Sequence, residues 1–229
     1  MKQYYIPYFP GVKKFDYLPV LCFWLIAGYN KETKLFDTIT FQNLDGLAGC
    51  IEATAGEKVL SKSTLSRVLN NEAYKDCFTY DRQRKEIILK NNFRSKPGAK
   101  ENQCFVVVSA PEISYLVRSQ DSLLIQYFLY LRYYCGLSKS KTTDTTAKQF
   151  LSACGYCETS NNYLSKIAGY NRTLSAIGFI SIKKSRDTNG RERNEYRCSL
   201  YPGGKSETKL CHRLPKSICG FWQPVFSQV

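Results

Sequence analysis

Residues 150–182 constrain the fold of this chain more than any other part of the sequence. Apolar residues at helical spacing stop at Gly155, and a second helical stretch begins after short polar residues and ends at Gly178. Residues 179–184 have the composition of a β-strand, and Asn189-Gly190 favours a tight hairpin that returns the chain as a second strand. The pattern therefore predicts two helices joined by a turn and followed by a two-stranded hairpin.

Capping residues predict where the helices of this half begin. A valine-rich strand is expected over 105–108, and Ala110-Pro111 favours a short helix after it. The expected caps are Asp121 or Ser122 for a long helix that ends at Gly136, Asp144 for a helix over 145–154, and Thr159 or Ser160 for the helix after the turn.

The first half of the chain predicts the same order of elements. A buried helix is expected after Asp16, with Pro19 in its first turn. Thr40 is expected to cap a helix over 41–55, and Ser61 a third helix over 62–69. Two strand-like runs follow, 77–80 and 86–89, on either side of a polar turn.

The composition of the whole chain supports a folded protein in two parts. Its 229 residues are 43% hydrophobic, which is enough for a real core. We predict a mainly α fold with small β-hairpins (α+β), arranged as two tandem winged helix-turn-helix domains. The predicted boundaries are an N-terminal arm at 1–15, a first domain at 16–92, a basic linker at 93–104, a second domain at 105–202 and a basic tail at 203–229.

The helix-to-strand step Leu174-Ser175-Ala176-Ile177-Gly178-Phe179-Ile180 resembles that of bacterial winged helix-turn-helix domains, in which a recognition helix leads through Gly-Phe-Ile into the wing. The resemblance covers about 120–200, and 16–92 is similar more loosely. The tandem order is similar to the winged-helix replication initiators of plasmids and phages and to DnaD-like primosome proteins. The resemblance implies binding to double-stranded DNA at an origin of replication, followed by recruitment of replication proteins.

The charge of the chain indicates a polyanionic partner. Lys and Arg number 33 against 19 acidic residues, for a formal net charge of +14. The single histidine, His212, excludes any metal site with two histidines, including that of a nicking initiator. The chain contains no Gly-x-x-x-x-Gly-Lys-Ser/Thr loop, which disfavours an ATPase. We therefore expect a binding protein without catalysis and without a cofactor.

The predicted DNA contacts of the second domain lie on its recognition helix and its wing. Short polar residues at the start of a recognition helix come within reach of base edges, and Asn pairs with adenine through both its side-chain carbonyl oxygen and its NH2 group. Cations on the wing suit the DNA backbone. The candidates are Ser160, Asn161, Asn162, Lys166 and Arg172 on the helix, and Lys183, Lys184, Arg186, Arg191 and Arg193 on the wing.

The matching candidates of the first domain are Lys62, Ser63, Thr64 and Arg67 on its third helix, and Arg82, Arg84 and Lys85 on its hairpin. Here an ordinary capped helix in a domain that serves dimerisation is an equal alternative.

Cysteine and aromatic clusters allow alternatives to structural roles. Cys154 and Cys157 could form a zinc site with Cys198, Cys211, His212 or Cys219, but their place at a helix-turn junction favours structural thiols and no metal. Aromatic residues over 127–134 could stack on bases, but their helical spacing favours packing in a core or between subunits.

The start of the chain carries no secretory signal pattern, and its most apolar run is too short to cross a bilayer. We expect a cytoplasmic protein with no membrane partner, which acts alone or as a homodimer. A winged-helix transcriptional regulator is the alternative in the same chemical class. A protein-interaction module and a nucleic-acid-processing enzyme are the alternatives of other classes.

Overall fold

A computed structural model of the chain describes residues 3–27, 38–90, 105–138, 140–186 and 192–198. The described residues form seven α-helices and three small antiparallel sheets, so the predicted α+β class is confirmed. The helices are α1 (Leu18–Ile26), α2 (Leu44–Ala55), α3 (Lys62–Leu69), α4 (Ala110–Ser119), α5 (Ser122–Leu137), α6 (Ala147–Ala153) and α7 (Asn161–Ala176). The strands are β1 (Gln3–Pro7), β2 (Ile39–Thr40), β3 (Phe78–Asp81), β4 (Glu86–Leu89), β5 (Phe105–Ser109), β6 (Thr142–Asp144), β7 (Ile180–Arg186) and β8 (Glu192–Cys198).

Contacts among the described residues divide the chain into two compact units. The first unit comprises Met1–Tyr133 and Phe150–Cys157, and the second comprises Tyr134–Gln149 and Glu158–Val229. This division differs from the predicted domain boundaries, which begin the second domain at residue 105. The difference arises because β5 and α4 pack against β1, α1 and α2 of the first unit.

The core of the first unit is built around α1. Residues Leu18 to Trp24 are all buried, because this helix is apolar on every side and is covered by α2 and α4. Asp16 fixes its start, since the Asp16 carboxylate accepts hydrogen bonds from the Leu18 amide and from the Ser122 hydroxyl. The apolar helix predicted after Asp16 is confirmed.

Residues 3–7, placed by prediction in an N-terminal arm, form a strand of the first unit. Strand β1 pairs with β5 in antiparallel register, Gln3 opposite Ser109 and Pro7 opposite Phe105. Tyr4 and Ile6 are buried on one face of this two-stranded sheet. Periodicity along the chain could not reveal this strand, because its partner is about a hundred residues away.

The predicted start of α2 at Thr40 is wrong. Thr40 belongs to β2, and the side chain of Asn43 caps α2 by accepting a hydrogen bond from the Gly46 amide at 2.8 Å. Strand β2 pairs with β4, which also pairs with β3, so the sheet has the order β2-β4-β3.

The predicted cap of α6 at Asp144 is also wrong. Asp144 ends strand β6, and Thr146 and Gln149 cap α6 through reciprocal hydrogen bonds between side chain and backbone. Strand β6 pairs with β8, and β8 pairs with β7, so this sheet has the order β6-β8-β7.

The aromatic residues of α5 pack into a core. Tyr127, Phe128 and Tyr130 are buried, and the rings of Tyr127 and Tyr130 stand edge-on to Phe150 with centroids 4.9 and 5.2 Å away. Core packing is therefore confirmed for these three residues.

Several sequence predictions lie outside the described residues. These are Arg191 and the hairpin turn at 187–190, the linker at 93–104, the tail at 203–229, and the possible zinc ligands Cys211, His212 and Cys219.

Candidate nucleic-acid interface

Helix α7 presents a polar face along its whole length. It has 16 residues and is therefore about 24 Å long. Ile167 and Leu174 are buried on one side, whereas Asn161, Asn162, Lys166 and Arg172 are exposed. Asn162 and Lys166 are one turn apart, so their side chains share a face. The predicted recognition residues are thus brought together on one helix.

The start of α7 lacks a side-chain cap. Ser160 occupies the N-cap position, but its hydroxyl makes no capping hydrogen bond. Among the described residues, the side chains of Asn161 and Asn162 also make no hydrogen bond to the helix backbone, so neither serves as a cap. The first amides of α7 therefore lack the side-chain acceptor that a capped helix supplies, and such amides attract phosphate oxygens.

The end of α7 leads directly into the second sheet. The helix stops at Ala176, and Gly178 takes a φ of +82°, a conformation that favours glycine. The Phe179 amide then donates to the Leu174 carbonyl oxygen at 2.9 Å, which closes the helix. Gly178 was predicted as the end of this helix, and its left-handed backbone is the physical reason.

Besides Arg197, the hairpin after α7 carries four exposed cations among the described residues. They are Lys183, Lys184 and Arg186 on β7 and Arg193 on β8. We call the exposed polar residues of α7 together with Lys184 and Arg186 the α7–wing surface. By the register of β7 with β8, these two cations lie on the same side of the sheet as Tyr196, which α7 contacts. Among the described residues, Lys166, Arg172, Lys183 and Arg186 make no hydrogen bond or ion pair within the protein.

A hydrogen-bonded tyrosine connects α7 to this hairpin. Tyr196 of β8 is 1% exposed, and its hydroxyl accepts from the Asn171 amide of α7 at 3.1 Å and from the Asn194 amide at 3.2 Å. Sequence reasoning missed these residues. The available signal was the alternation along β8, in which Asn194, Tyr196 and Cys198 share a face.

The turn between α6 and α7 is fixed by a close backbone approach within the first unit. Gly155 has a φ of +76°, and a Cβ atom at this position would lie 2.7 Å from the Lys13 Cβ. The neighbouring Lys14 amide donates to the Cys154 carbonyl oxygen at 3.0 Å, and Lys14 Nζ lies 5.8 Å from the centroid of the Tyr156 ring. Glycine is therefore required here both for its backbone conformation and for its small size.

The corresponding helix of the first unit, α3, has a satisfied N-terminus. The Ser61 hydroxyl accepts from the Thr64 amide at 3.2 Å and lies 2.9 Å from the hydroxyls of both Ser63 and Thr64. Lys62 Nζ is 2.6 Å from Asp45 Oδ2 of α2. The predicted contacts Lys62, Ser63 and Thr64 are thus brought together, but each already has an intramolecular partner.

The cations of the first hairpin are also held within the protein. Arg82 donates to the Asn70 side chain at the end of α3. Arg84 Nε lies 3.9 Å from Asp81 Oδ2, and Lys85 Nζ donates to the Gln42 carbonyl oxygen at 2.7 Å. Together with Lys62, Ser63 and Arg67, these residues form what we call the α3–hairpin surface.

The possible zinc ligands Cys154, Cys157 and Cys198 do not form a metal site in the part of the chain that the structure describes. Cys154 is buried and Cys157 is exposed, and burial raises the pKa of the Cys154 thiol to about 12. No group of three or more Cys, His, Asp or Glu side chains among the described residues could hold a metal ion. Within the same residues, every helix is too short or too polar to span a lipid bilayer.

Comparison of the chain with models of known protein families, with curated proteins and with solved structures finds no match.

Proposed function

We propose that this protein binds double-stranded DNA through two tandem winged helix-turn-helix units, and that the α7–wing surface carries the main contacts. The order helix, short strand, two helices and hairpin occurs twice along the chain, as α1-β2-α2-α3-β3-β4 and as α5-β6-α6-α7-β7-β8. In each, the short strand pairs with the last strand of the hairpin, which gives the sheet orders β2-β4-β3 and β6-β8-β7. The repeated topology supports two units of one fold.

The observation that carries the proposal is the difference between the two candidate surfaces. On the α3–hairpin surface, Lys62, Arg82, Arg84 and Lys85 each have a partner within the protein, and Arg67 alone of its five cations is exposed without a hydrogen bond or ion pair among the described residues. On the α7–wing surface, Lys184 has a partner, whereas Lys166, Arg172 and Arg186 are exposed and have none among the described residues. A cation without a partner loses no existing contact when it meets a phosphate, so the second surface favours DNA more strongly.

The residue types on α7 support the recognition of bases as well as phosphates. A major groove accepts one helix, and exposed Asn side chains at its start can pair with adenine through carbonyl and amide together. Asn161 and Asn162 lie at that position. The proposed mechanism is binding without catalysis, in which backbone contacts give affinity and contacts from α7 give the register. The role in initiating replication follows from the resemblance of the sequence.

The test is selection of bound duplexes from a random DNA library by the purified full chain, followed by gel shifts at increasing salt. Enrichment of closely spaced direct repeats supports a replication initiator. A single palindrome supports a transcriptional regulator instead. Failure to bind any duplex at low salt would overturn DNA binding and support a protein-interaction module.

A further inference from the structure

The hairpin of the second unit has two faces, and the pleat of its strands divides the exposed cations between them. Cross-strand partners share a face, and successive residues alternate. Ile180 pairs with Cys198 and Ile182 with Tyr196, and all but Ile182 are buried, so this face is covered. The next residues of β7 on the same face are Lys184 and Arg186.

Helix α7 covers that face. The bond from Asn171 to the Tyr196 hydroxyl places α7 on the side of Ile182 and Tyr196. Asn194 donates to the same hydroxyl, and Asn194 is the register partner of Lys184. Lys184 and Arg186 therefore extend the α7 side of the sheet beyond its buried part.

Lys183 and Arg193 lie on the opposite face. Lys183 is the register partner of Glu195, and Arg193 is the partner of Ser185. Both cations are exposed, as is Arg197, which shares their face. A duplex that takes α7 into its groove stands on the α7 side of the sheet, so the sheet itself separates these cations from that duplex.

We infer that Lys184 and Arg186 are the hairpin residues that contact the DNA backbone, and that Lys183 and Arg193 do not; this inference rests on the proposed function. A strand rises about 3.3 Å per residue, so Arg186 lies roughly 13 Å beyond Ile182 along β7. That distance extends Arg186 beyond the buried part of the sheet, where its guanidinium can reach phosphates beside the occupied groove. The sequence predicts DNA contacts for all four cations, whereas this inference limits the contacts to Lys184 and Arg186.

The test compares two double variants of the full chain, K184A/R186A and K183A/R193A. Each removes two positive charges from the same hairpin, so any effect of overall charge is equal in both. Affinity for a random duplex is measured by fluorescence anisotropy over a series of salt concentrations. Thermal melting of each variant shows that the fold is kept.

We expect K184A/R186A to make the fall of log affinity with log salt less steep by about 1.8, because each lost phosphate contact reduces the slope by about 0.9. The slope for K183A/R193A should stay at that of the unaltered protein. Equal losses in the two variants, or a larger loss in K183A/R193A, would overturn the inference while leaving DNA binding intact. Absence of binding by the unaltered protein would overturn the proposed function and this inference with it.

Discussion

The hydroxyl of Tyr196 accepts a hydrogen bond from the side-chain amide of Asn171, 3.1 Å away, and so ties the middle strand of the second sheet to α7. The same hydroxyl accepts from Asn194, so one buried oxygen organises both the helix and the hairpin of the α7–wing surface. The ring of Tyr196 is itself buried, so the packing around the ring fixes the position of the hydroxyl.

We expect Tyr196→Phe to destabilise the protein by about 1–2 kcal/mol, since each intramolecular hydrogen bond contributes roughly 1 kcal/mol. The apolar ring stays, so the loss reports the hydroxyl alone. Urea unfolding followed by circular dichroism measures it. The matched control is Tyr80→Phe in the first hairpin, because the Tyr80 hydroxyl makes no hydrogen bond among the described residues. Equal effects of the two changes would contradict this role for Tyr196.

Asn162→Ala should weaken binding to the preferred DNA site by about 1–3 kcal/mol, the usual contribution of a bidentate contact to a base. Binding to random duplex should hardly change. Asn162 caps no helix, so its replacement should leave the fold intact. Competition gel shifts with selected and random duplexes make the comparison, and Ser63→Ala on α3 serves as the matched control. An equal loss of affinity for the selected and the random duplex would mean that residues other than Asn162 recognise the bases.

The two candidate surfaces should respond differently to the loss of one lysine. Lys166→Ala should lower the salt slope of DNA binding by about 0.9, the value for one phosphate contact. Lys62→Ala should leave that slope unchanged, because Lys62 is paired with Asp45. Both members of that pair are more than half exposed, so its loss should also change stability little. If the salt slope falls only for Lys62→Ala, the α3–hairpin surface and not the α7–wing surface carries the main DNA contacts.

Most of the helices could be predicted from the sequence, but strand β1 and the short strands β2 and β6 could not. Strands β2 and β6 have only two and three residues, too few to show a period, and each pairs with a strand more than forty residues further along the chain. Both wrong helix caps follow from this, since Thr40 and Asp144 were assigned to helices when they belong to those strands.

The candidate site shows the same limit. The predicted strand already places Lys183 and Lys184 on opposite faces, but only the register with β8 and the bond from Asn171 to Tyr196 show that Lys184 lies on the α7 side. Likewise, nothing along the chain indicates that Lys62 meets Asp45 or that Arg82 meets Asn70, because those partners are 17 and 12 residues away. Residue types are local information, whereas partners depend on tertiary contacts.

Gly155→Ala should cost at least 1–2 kcal/mol of stability, because a residue with a side chain is strained at positive φ and would also meet Lys13. Gly169→Ala is the matched control. Gly169 lies inside α7 with no atom near a new Cβ, so alanine there should stabilise the helix by up to about 1 kcal/mol. Thermal denaturation of the two variants measures both effects. A neutral Gly155→Ala would contradict the close approach of the Lys13 segment.

Cys154 and Cys157 should differ in reactivity although they are one turn apart. At pH 8 iodoacetamide should label exposed Cys157 and not Cys154, since burial raises the pKa of Cys154 to about 12 from 9.0. The folded state holds this proton more tightly than the unfolded state. The contribution of Cys154 to stability is therefore complete below pH 9 and is lost as the pH rises towards 12. Peptide mapping by mass spectrometry gives the labelling, and rapid labelling of Cys154 in the folded protein would contradict its burial.

The pairing of β1 with β5 has a consequence for the order in which the protein acquires its structure. Gln3 and Ser109 meet across about a hundred residues, so during synthesis β1 must wait for a partner strand that is made much later. Closing so long a loop costs entropy before any contact repays it, which slows folding. The α7–β7–β8 assembly uses neighbouring stretches of chain and meets no such delay. We therefore expect the α7–wing surface to form early, and the β1–β5 sheet of the first unit to form last.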